Sequence, residues 1–271
     1  MEFLFDHVVH FVEKPEKAIE QFREIGFHAI EGGVHENRGT YNGLCYFGLS
    51  YIELLGAYDL PLLKETQHPP YSLVSSIVNG SFEEGLVRVA LRTSDIHGTA
   101  AHFKSQGLIV SGPVRMHRKR PDGSLVKWQL LYVGHEDEGP ELPFFIQWEE
   151  DDEQRREDLL QFGFQSDHSA GGSLHLQHVA IAVKDLDKTI ANWSKWLNIF
   201  VGETYTDETL HAIYREIQIP GGSLVFYEPI GEGIVSNVLA TSGEKPFRVV
   251  ISGGDREQEN TVSKATYVIR K

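Results

Sequence analysis

The sequence of 271 residues contains a single cysteine, Cys45. One thiol excludes a disulfide within the chain and a metal cluster held by several cysteines. Cys45 lies in an apolar stretch, where a buried and unreactive thiol is the usual case. The residues left to consider for a metal site are therefore histidines and carboxylates.

The sequence also lacks an excess of basic residues, since 25 Lys and Arg face 39 Asp and Glu and the net charge is −14. Nucleic-acid binding requires clustered Lys and Arg on phosphates, so we expect no nucleic-acid partner. There is no basic leader and no apolar run of transmembrane length, and we expect no signal peptide, no membrane span and a cytoplasmic location. Motifs for dinucleotide or phosphate loops and a Ser-His-Asp nucleophile elbow are missing as well.

What the sequence does contain is an internal repeat of strand, helix and further strands. In the first copy an apolar strand with His7 is followed by a helix that opens at Pro15 and stops at Gly26. The copies lie at 3–57, 86–149 and 174–230, with a truncated fourth at 247–271. This duplication predicts an α+β fold of repeated βαβββ modules.

The repeats pair along the chain and predict two domains. The length suffices for two domains of ordinary size, each with an apolar core. We expect residues 1–162 to form one domain from the first two modules, and 163–271 to form a second from the third module and the truncated fourth. The truncated copy opens with a strand carrying Arg248, in the place that Arg88 holds in the second module.

Polar residues in the first module mark a candidate site. Glu53 lies in the apolar run YIELL, and a carboxylate buried there without a partner would be costly. His7 and His35 are the candidate partners in this half of the chain. The stretch from His35 through Thr40 to Asn42 is polar and predicts a loop, whose side chains either line a pocket or close a turn by bonding to the backbone.

Three motifs carry a resemblance to a known family. They are GG-x-H-x-x-x-GT-x-N followed by FG-x-x-YIELL (residues 32–55), R-x-RPDG followed by a Trp (118–128), and PFFIQW (143–148). The chain resembles the vicinal oxygen chelate superfamily, which includes glyoxalase I, extradiol dioxygenases and bleomycin-resistance proteins. Within it, the motifs resemble the glyoxalase-like family of unassigned reaction. The resemblance covers residues 3–160 well and the third module more loosely.

The resemblance implies that paired modules curl their strands around a cleft. Metal-dependent members take ligands from the first-strand His and the fourth-strand Glu of each paired module. His7 and Glu53 hold those places in the first module, but the second module has Arg88 and, when YIELL is aligned with FIQWE, Gln147. A guanidinium repels a metal ion. A divalent Zn, Mn or Fe ion on His7 and Glu53, with His35 as a third ligand, therefore stays an alternative to a site without metal.

The function predicted from these residues is binding of a small, polar, anionic molecule in the N-terminal cleft. If the protein is an enzyme, it would be of the lyase or isomerase type, with His7 or Glu53 as the base. Arg88 and Gln147 would then stabilise the developing oxyanion. The predicted substrate-binding residues are His35, Thr40, Asn42, Arg118, Arg120, Trp128 and Trp148. For Arg118 and Arg120 the alternative is a solvated hairpin tip, and for the tryptophans it is the core.

Two alternatives remain open at this point. One is a non-catalytic protein that sequesters a small molecule, like the antibiotic-binding members, which need no metal ligands. The other is a metal-dependent glyoxalase or dioxygenase. The resemblance also implies a homodimer, and the expected partner is a small-molecule ligand.

Overall fold

The computed structural model describes residues 2–36, 38–65, 67–136 and 138–271. The first module has the predicted order of elements, β1 (Leu4–Phe11), α1 (Pro15–Glu24), β2 (Ala29–His35), β3 (Thr40–Phe47) and β4 (Ser50–Ala57). Pro15 stands in the first turn of α1, where a helix needs no N–H donor. One expectation was wrong: His35, Thr40 and Asn42 belong to strands and not to a loop.

The second module follows two short helices, α2 (Leu60–Glu65) and α3 (Leu73–Asn79). Its elements are β5 (Gly85–Arg92), α4 (Ile96–Ser105), β6 (Ile109–Lys119), β7 (Leu125–Gly134) and β8 (Phe144–Trp148), and α5 (Asp152–Gln161) comes next. Asp95 caps α4 by accepting a hydrogen bond from the Gly98 amide.

The third module contains β9 (His175–Ala182), α6 (Leu186–Leu197), β10 (Tyr205–Asp207), β11 (Ala212–Ile217) and β12 (Ser223–Pro229). The truncated copy follows, with α7 (Ile234–Ser242), β13 (Pro246–Ser252), β14 (Gln258–Val262) and β15 (Ala265–Ile269). The sequence of β14, QENTV, is polar and lacks the apolar alternation typical of a strand, so sequence patterns do not mark it. The turn between β14 and β15 places Ser263 and Lys264 at positive φ, a geometry that usually takes Asn or Gly, and no turn signal marks it.

The first two modules close into one barrel, with strand order β1-β4-β3-β2-β6-β7-β8-β5. β1 lies between β4, to which it is parallel, and β5, to which it is antiparallel. The α+β fold of paired modules with curved sheets is confirmed, and the predicted cleft is the inside of this barrel.

The remaining strands form a separate seven-stranded sheet in the order β10-β11-β12-β9-β13-β15-β14. This order repeats that of the barrel strands β2-β3-β4-β1-β5-β8-β7. The described residues of the truncated copy contain no counterpart of β6, the strand that closes the barrel by pairing with β2. The second sheet therefore stays open where the first one closes.

Alternation along the strands separates two apolar clusters. On β4, Ile52 and Leu54 face outward into a large core shared with the second sheet, whereas Tyr51 and Leu55 face into the barrel. The outward cluster combines barrel residues with Val179 and other residues of the second sheet. Because both sheets pack against this shared core, the division into domains at residue 162 stays a prediction.

His10 fastens the barrel to the second sheet. It is fully buried, its Nε2 donates to the Ser263 carbonyl at 3.0 Å, and its Nδ1 accepts from the Tyr267 hydroxyl at 2.7 Å. It thus faces away from His7, which lies three residues earlier on β1, as alternation along a strand requires. Within the described ranges, no helix is both long and apolar enough to cross a membrane.

Candidate active site

The barrel encloses a cavity of about 740 Å³, counting its open mouth. Its wall combines aromatic rings with a few charged and polar groups. The aromatic residues are Tyr51, Trp128, Tyr132, Phe144 and Trp148, and the charged or titratable ones are His7, His35, Arg38, Glu53, His68 and Arg118. An apolar cavity with a small number of convergent polar groups is the usual form of a small-molecule site.

His7 lines the cavity, and its buried neighbour Asp6 lies behind it and holds its ring. The Nδ1–H of His7 donates to Asp6 Oδ1 at 2.7 Å. Burial works against ionisation of Asp6, but Arg155, His7 and Arg92 together hold the pKa of this carboxyl well below its ordinary value. Because Asp6 engages the Nδ1–H group, the ring of His7 is oriented with Nε2 toward Glu53, and both residues line the cavity.

Asp6 can reach His7 because β1 carries a bulge at this point. The register passes from Phe5 opposite Leu91 to His7 opposite Ala90, so that Asp6 is the extra residue. Asp6 Oδ2 accepts from Arg92 Nη1 at 3.2 Å and from Trp148 Nε1 at 2.9 Å. Sequence reasoning missed Asp6. An acidic residue within an apolar strand was the signal, the same one that singled out Glu53.

Glu53 lies on β4, the strand that pairs with β1, and its side chain is next to that of His7. His7 Nε2 and Glu53 Oε2 are 3.7 Å apart, and the two side chains are only 4% and 10% exposed. Glu53 Oε1 accepts a hydrogen bond of 2.6 Å from Asn42 Nδ2, which fixes the orientation of the carboxylate. The Asn42 amide has room because position 32 is glycine, and a Cβ there would collide with Asn42 Oδ1. The predicted proximity of His7 and Glu53 is found in the structure.

His35 completes this side of the cavity. Its Nδ1 shares a hydrogen bond of 2.9 Å with Thr40 Oγ1, and both residues line the cavity. Burial, only partly offset by the charge of Glu53, lowers the pKa of His35 to about 4. His35 is therefore uncharged at neutral pH and can act as a neutral hydrogen-bonding group.

The second module supplies a cation and the two tryptophans. Arg118 lines the cavity although only 4% of it is exposed, and its Nε has no hydrogen-bond partner among the described residues. The Trp128 and Trp148 rings lie 5.4 Å apart on the same wall. Arg120 lies in an adjoining space, where its Nη2 pairs with Asp158 at 3.0 Å. Burial of both arginines contradicts the alternative of a solvated hairpin tip.

Arg88 and Gln147 do not take the places that the sequence predicted for them. The Arg88 guanidinium donates to three backbone carbonyls, those of Tyr71, Val133 and Leu142, and does not line the cavity. Gln147 accepts a hydrogen bond of 2.8 Å from the Ile96 amide at the start of α4. On β8 the cavity side belongs to Phe144, Ile146 and Trp148, so Gln147 points outward by alternation.

The donors at His7 and Glu53 do not fit a divalent metal ion. Zn, Mn and Fe sites use three or more imidazole or anionic ligands. In the part of the chain that the structure describes, no three His, Cys, Asp or Glu side chains converge in that way. Arg38 and Arg118 line the same cavity and would repel a cation.

The comparisons with known proteins agree with this architecture. The family model described as "glyoxalase-like domain" matches residues 5–197. The chain belongs to the glyoxalase-like domain family. The matched residues include the whole barrel and with it the cavity.

Among solved structures, this glyoxalase-like protein resembles a hypothetical protein from Staphylococcus aureus, with 25% identity, a TM-score of 0.80, and coverage of 99% of this chain and 100% of the other. It also shares its fold with a mutant of 4-hydroxymandelate synthase from Streptomyces coelicolor, at 11% identity and a TM-score of 0.58 over 93% and 71% of the two chains. No curated protein matches the chain significantly.

Proposed function

We propose that this glyoxalase-like protein binds a small anionic molecule in the barrel cavity and moves a proton at a carbon next to a carbonyl group, as a lyase or isomerase. The observation that carries the proposal is the arrangement of Asp6, His7 and Glu53. Two basic atoms, His7 Nε2 and Glu53 Oε2, lie 3.7 Å apart in an aromatic cavity. A general base must lie within hydrogen-bond reach of the proton that it abstracts, and both atoms border the space where a ligand fits.

Asp6 supports the choice of His7 as the base. A buried carboxylate that accepts from Nδ1 fixes the ring orientation and stabilises the imidazolium formed when Nε2 takes a proton. Glu53 is then the group that accepts or returns a proton on the adjacent side. Removal of water by the aromatic wall strengthens these interactions.

Abstraction of a proton beside a carbonyl leaves negative charge on oxygen, and the cavity offers donors for it. Arg118 takes the role that the sequence assigned to Arg88, because Arg118 lines the cavity and Arg88 does not. The neutral His35 ring is a second candidate donor on the same wall. Gln147 has no such role in this proposal.

Proton transfer is tested by hydrogen–deuterium exchange of small 2-oxo and 3-oxo carboxylic acids in D2O, followed by proton NMR. We expect catalysed exchange with at least one member of the panel, and a loss of about 10²- to 10⁴-fold in H7Q and E53Q. H97Q, at an exposed histidine on α4, is the matched control and should behave as the parent protein. Exchange that persists in both H7Q and E53Q would remove the basis of the proposal.

The aromatic wall supports a second function, binding without catalysis. Rings of Tyr51, Trp128 and Trp148 offer flat apolar surfaces that hold a ligand without any reaction. Calorimetry with the same acids tests this function. Binding of an acid to the parent protein without any exchange of its protons, together with an unchanged affinity in E53Q, would favour binding without catalysis.

A further inference from the structure

Arg118 differs from every other buried arginine that the structure describes. The others each have carboxylate or carbonyl partners: Arg92 has Asp6 and Asp152, Arg120 has Asp158, Arg155 has Asp6, Arg248 has Glu259, and Arg88 has three backbone carbonyls. The Arg118 side chain forms no hydrogen bond or ion pair within the described ranges. Its Nε is buried without a partner, as are the Nε atoms of Arg120 and Arg248, but those two arginines have carboxylate partners at Nη2.

We propose that Arg118 is the anchor for a carboxylate, and that the cavity takes carboxylic acids with a flat aromatic or conjugated body. This inference rests on the proposed function for the site, and it adds the chemical class of the ligand and the residue that selects it. The side chain is 4% exposed; it lines the adjoining space that contains Arg120, and it lines the cavity. A ligand held there would lie against the guanidinium.

The cost of burying an unpaired guanidinium is the first argument for an anionic ligand. A charge removed from water without a counter-charge destabilises the folded protein by several kcal/mol. Each of the other buried arginines avoids this cost through a partner within the chain. For Arg118 the missing counter-charge is supplied when an anion enters the cavity.

The charge of the wall favours a single carboxylate over a phosphate. The described lining contains two arginines, Arg38 and Arg118, and one carboxylate, Glu53. The histidine His35 is neutral there because burial lowers its pKa to about 4. The wall therefore has an excess of one positive charge, although the whole chain has a net charge of −14. A guanidinium also matches the two oxygens of a carboxylate through parallel N–H donors.

The rings of the wall favour a flat body. Tyr51 stacks on His7 with centroids 4.5 Å apart, and Trp128 and Trp148 are 5.4 Å apart. Burial raises the pKa of Tyr51 well above its ordinary value, so this ring stays an uncharged phenol. Aromatic and conjugated ligands bind to such faces more favourably than saturated rings of equal size.

The experiment is isothermal titration calorimetry with cinnamate, its neutral analogue cinnamamide, the saturated cyclohexanecarboxylate, and inorganic phosphate. We expect cinnamate to bind at least about tenfold more tightly than cinnamamide, because a charged hydrogen-bonded pair is worth about 1.5–3 kcal/mol. Cyclohexanecarboxylate, which has the same charge but no flat face, and phosphate, which has no apolar body, should also bind more weakly than cinnamate. In R118M the affinity for cinnamate should fall by about 10- to 100-fold and that for cinnamamide should stay constant. The affinity of R118K for cinnamate should lie between those of the parent protein and R118M, since lysine keeps the charge but lacks the two parallel N–H donors of a guanidinium.

R156M removes the same charge from an exposed position on α5 and should leave all affinities unchanged. Equal affinity of the parent protein for cinnamate and cinnamamide would overturn the inference, and that comparison needs no variant to fold. Equal loss of cinnamate affinity in R118M and R156M, or tighter binding of phosphate than of cinnamate, would overturn it too. Because binding is measured without turnover, binding of cinnamate through Arg118 without any proton exchange would refute only the proposed catalysis.

Discussion

The Oδ1 atom of Asp6 and the Nδ1 atom of His7 lie 2.7 Å apart, although the two residues are consecutive on one strand. Consecutive side chains of a regular strand point to opposite faces and do not form such a bond. The bulge at Asp6 brings both side chains to the same side of β1. This local irregularity converts an ordinary strand histidine into one whose tautomer and orientation are fixed.

Asp6→Asn should therefore reduce proton transfer while His7 itself is intact. The asparagine amide can present N–H instead of an accepting oxygen, which disfavours the tautomer with the proton on Nδ1. We expect exchange to fall by about 10²- to 10⁴-fold. The 15N chemical shifts of the His7 ring should show a shift of the proton from Nδ1 to Nε2, a change that a merely structural residue would not cause.

The stability of D6N needs a separate measurement, because Arg92 and Arg155 lose their shared carboxylate. Removal of one member of a buried ion pair costs about 3–5 kcal/mol. Urea denaturation at the assay temperature shows whether D6N is folded. D6E, which keeps the charge, should recover part of the stability and of the activity. A folded D6N with unchanged tautomer and unchanged exchange would contradict this role of Asp6.

Substitution by methionine should change the free energy of unfolding in opposite directions at Arg88 and at Arg118. In R88M the carbonyls of Tyr71, Val133 and Leu142 lose their donor, and each buried acceptor left unpaired costs about 1–3 kcal/mol. In R118M an unpaired buried charge disappears, so the free energy of unfolding should rise by about 1 kcal/mol.

Denaturation curves of both variants and of R156M as the control test this pair of expectations. R88M should lose stability without a specific effect on cinnamate affinity among the molecules that remain folded. A stable R88M would show that the three carbonyls find water or other partners. A strong loss of stability in R118M would show that Arg118 has a structural role.

The sequence predicted the modules well because their signals are local. Pro15 at a helix start, Gly26 at its end and alternation along β4 each act through neighbouring residues. The motifs also led to His7 and Glu53, which the barrel brings together because their strands pair in register.

The remaining errors concern three side chains whose positions are not determined by local sequence patterns. Arg88 lies on β5, which pairs with β1. Its guanidinium nevertheless donates to the carbonyl of Tyr71, just before α3, a contact that no sequence pattern marks. Gln147 was placed by aligning two apolar strands, and an error of one residue moves a side chain to the other face. Asp6 was missed because a bulge, and not the periodicity of β1, decides where it points.

His10 leads to a prediction about pH. Burial, partly offset by the Ser263 carbonyl, lowers its pKa from the ordinary value of 6.5 to about 4. The unfolded chain therefore binds a proton at a higher pH than the folded protein does, and the free energy of unfolding falls as the pH drops from about 6.5 to about 4. The contribution of this one residue is roughly 3 kcal/mol at most.

H10Q tests this expectation, because glutamine can donate to the Ser263 carbonyl and accept from the Tyr267 hydroxyl without titrating. Urea denaturation at several pH values between 7.5 and 4.5 gives the free energy of unfolding as a function of pH, and hence a slope for the parent protein and one for H10Q. The slope of H10Q should be smaller, with the difference confined to the range below about pH 6.5. His35 and His178, whose pKa values burial also lowers to about 4, should leave a residual slope in H10Q. Identical slopes would mean that the folded protein accommodates a charged His10 where the two sheets meet.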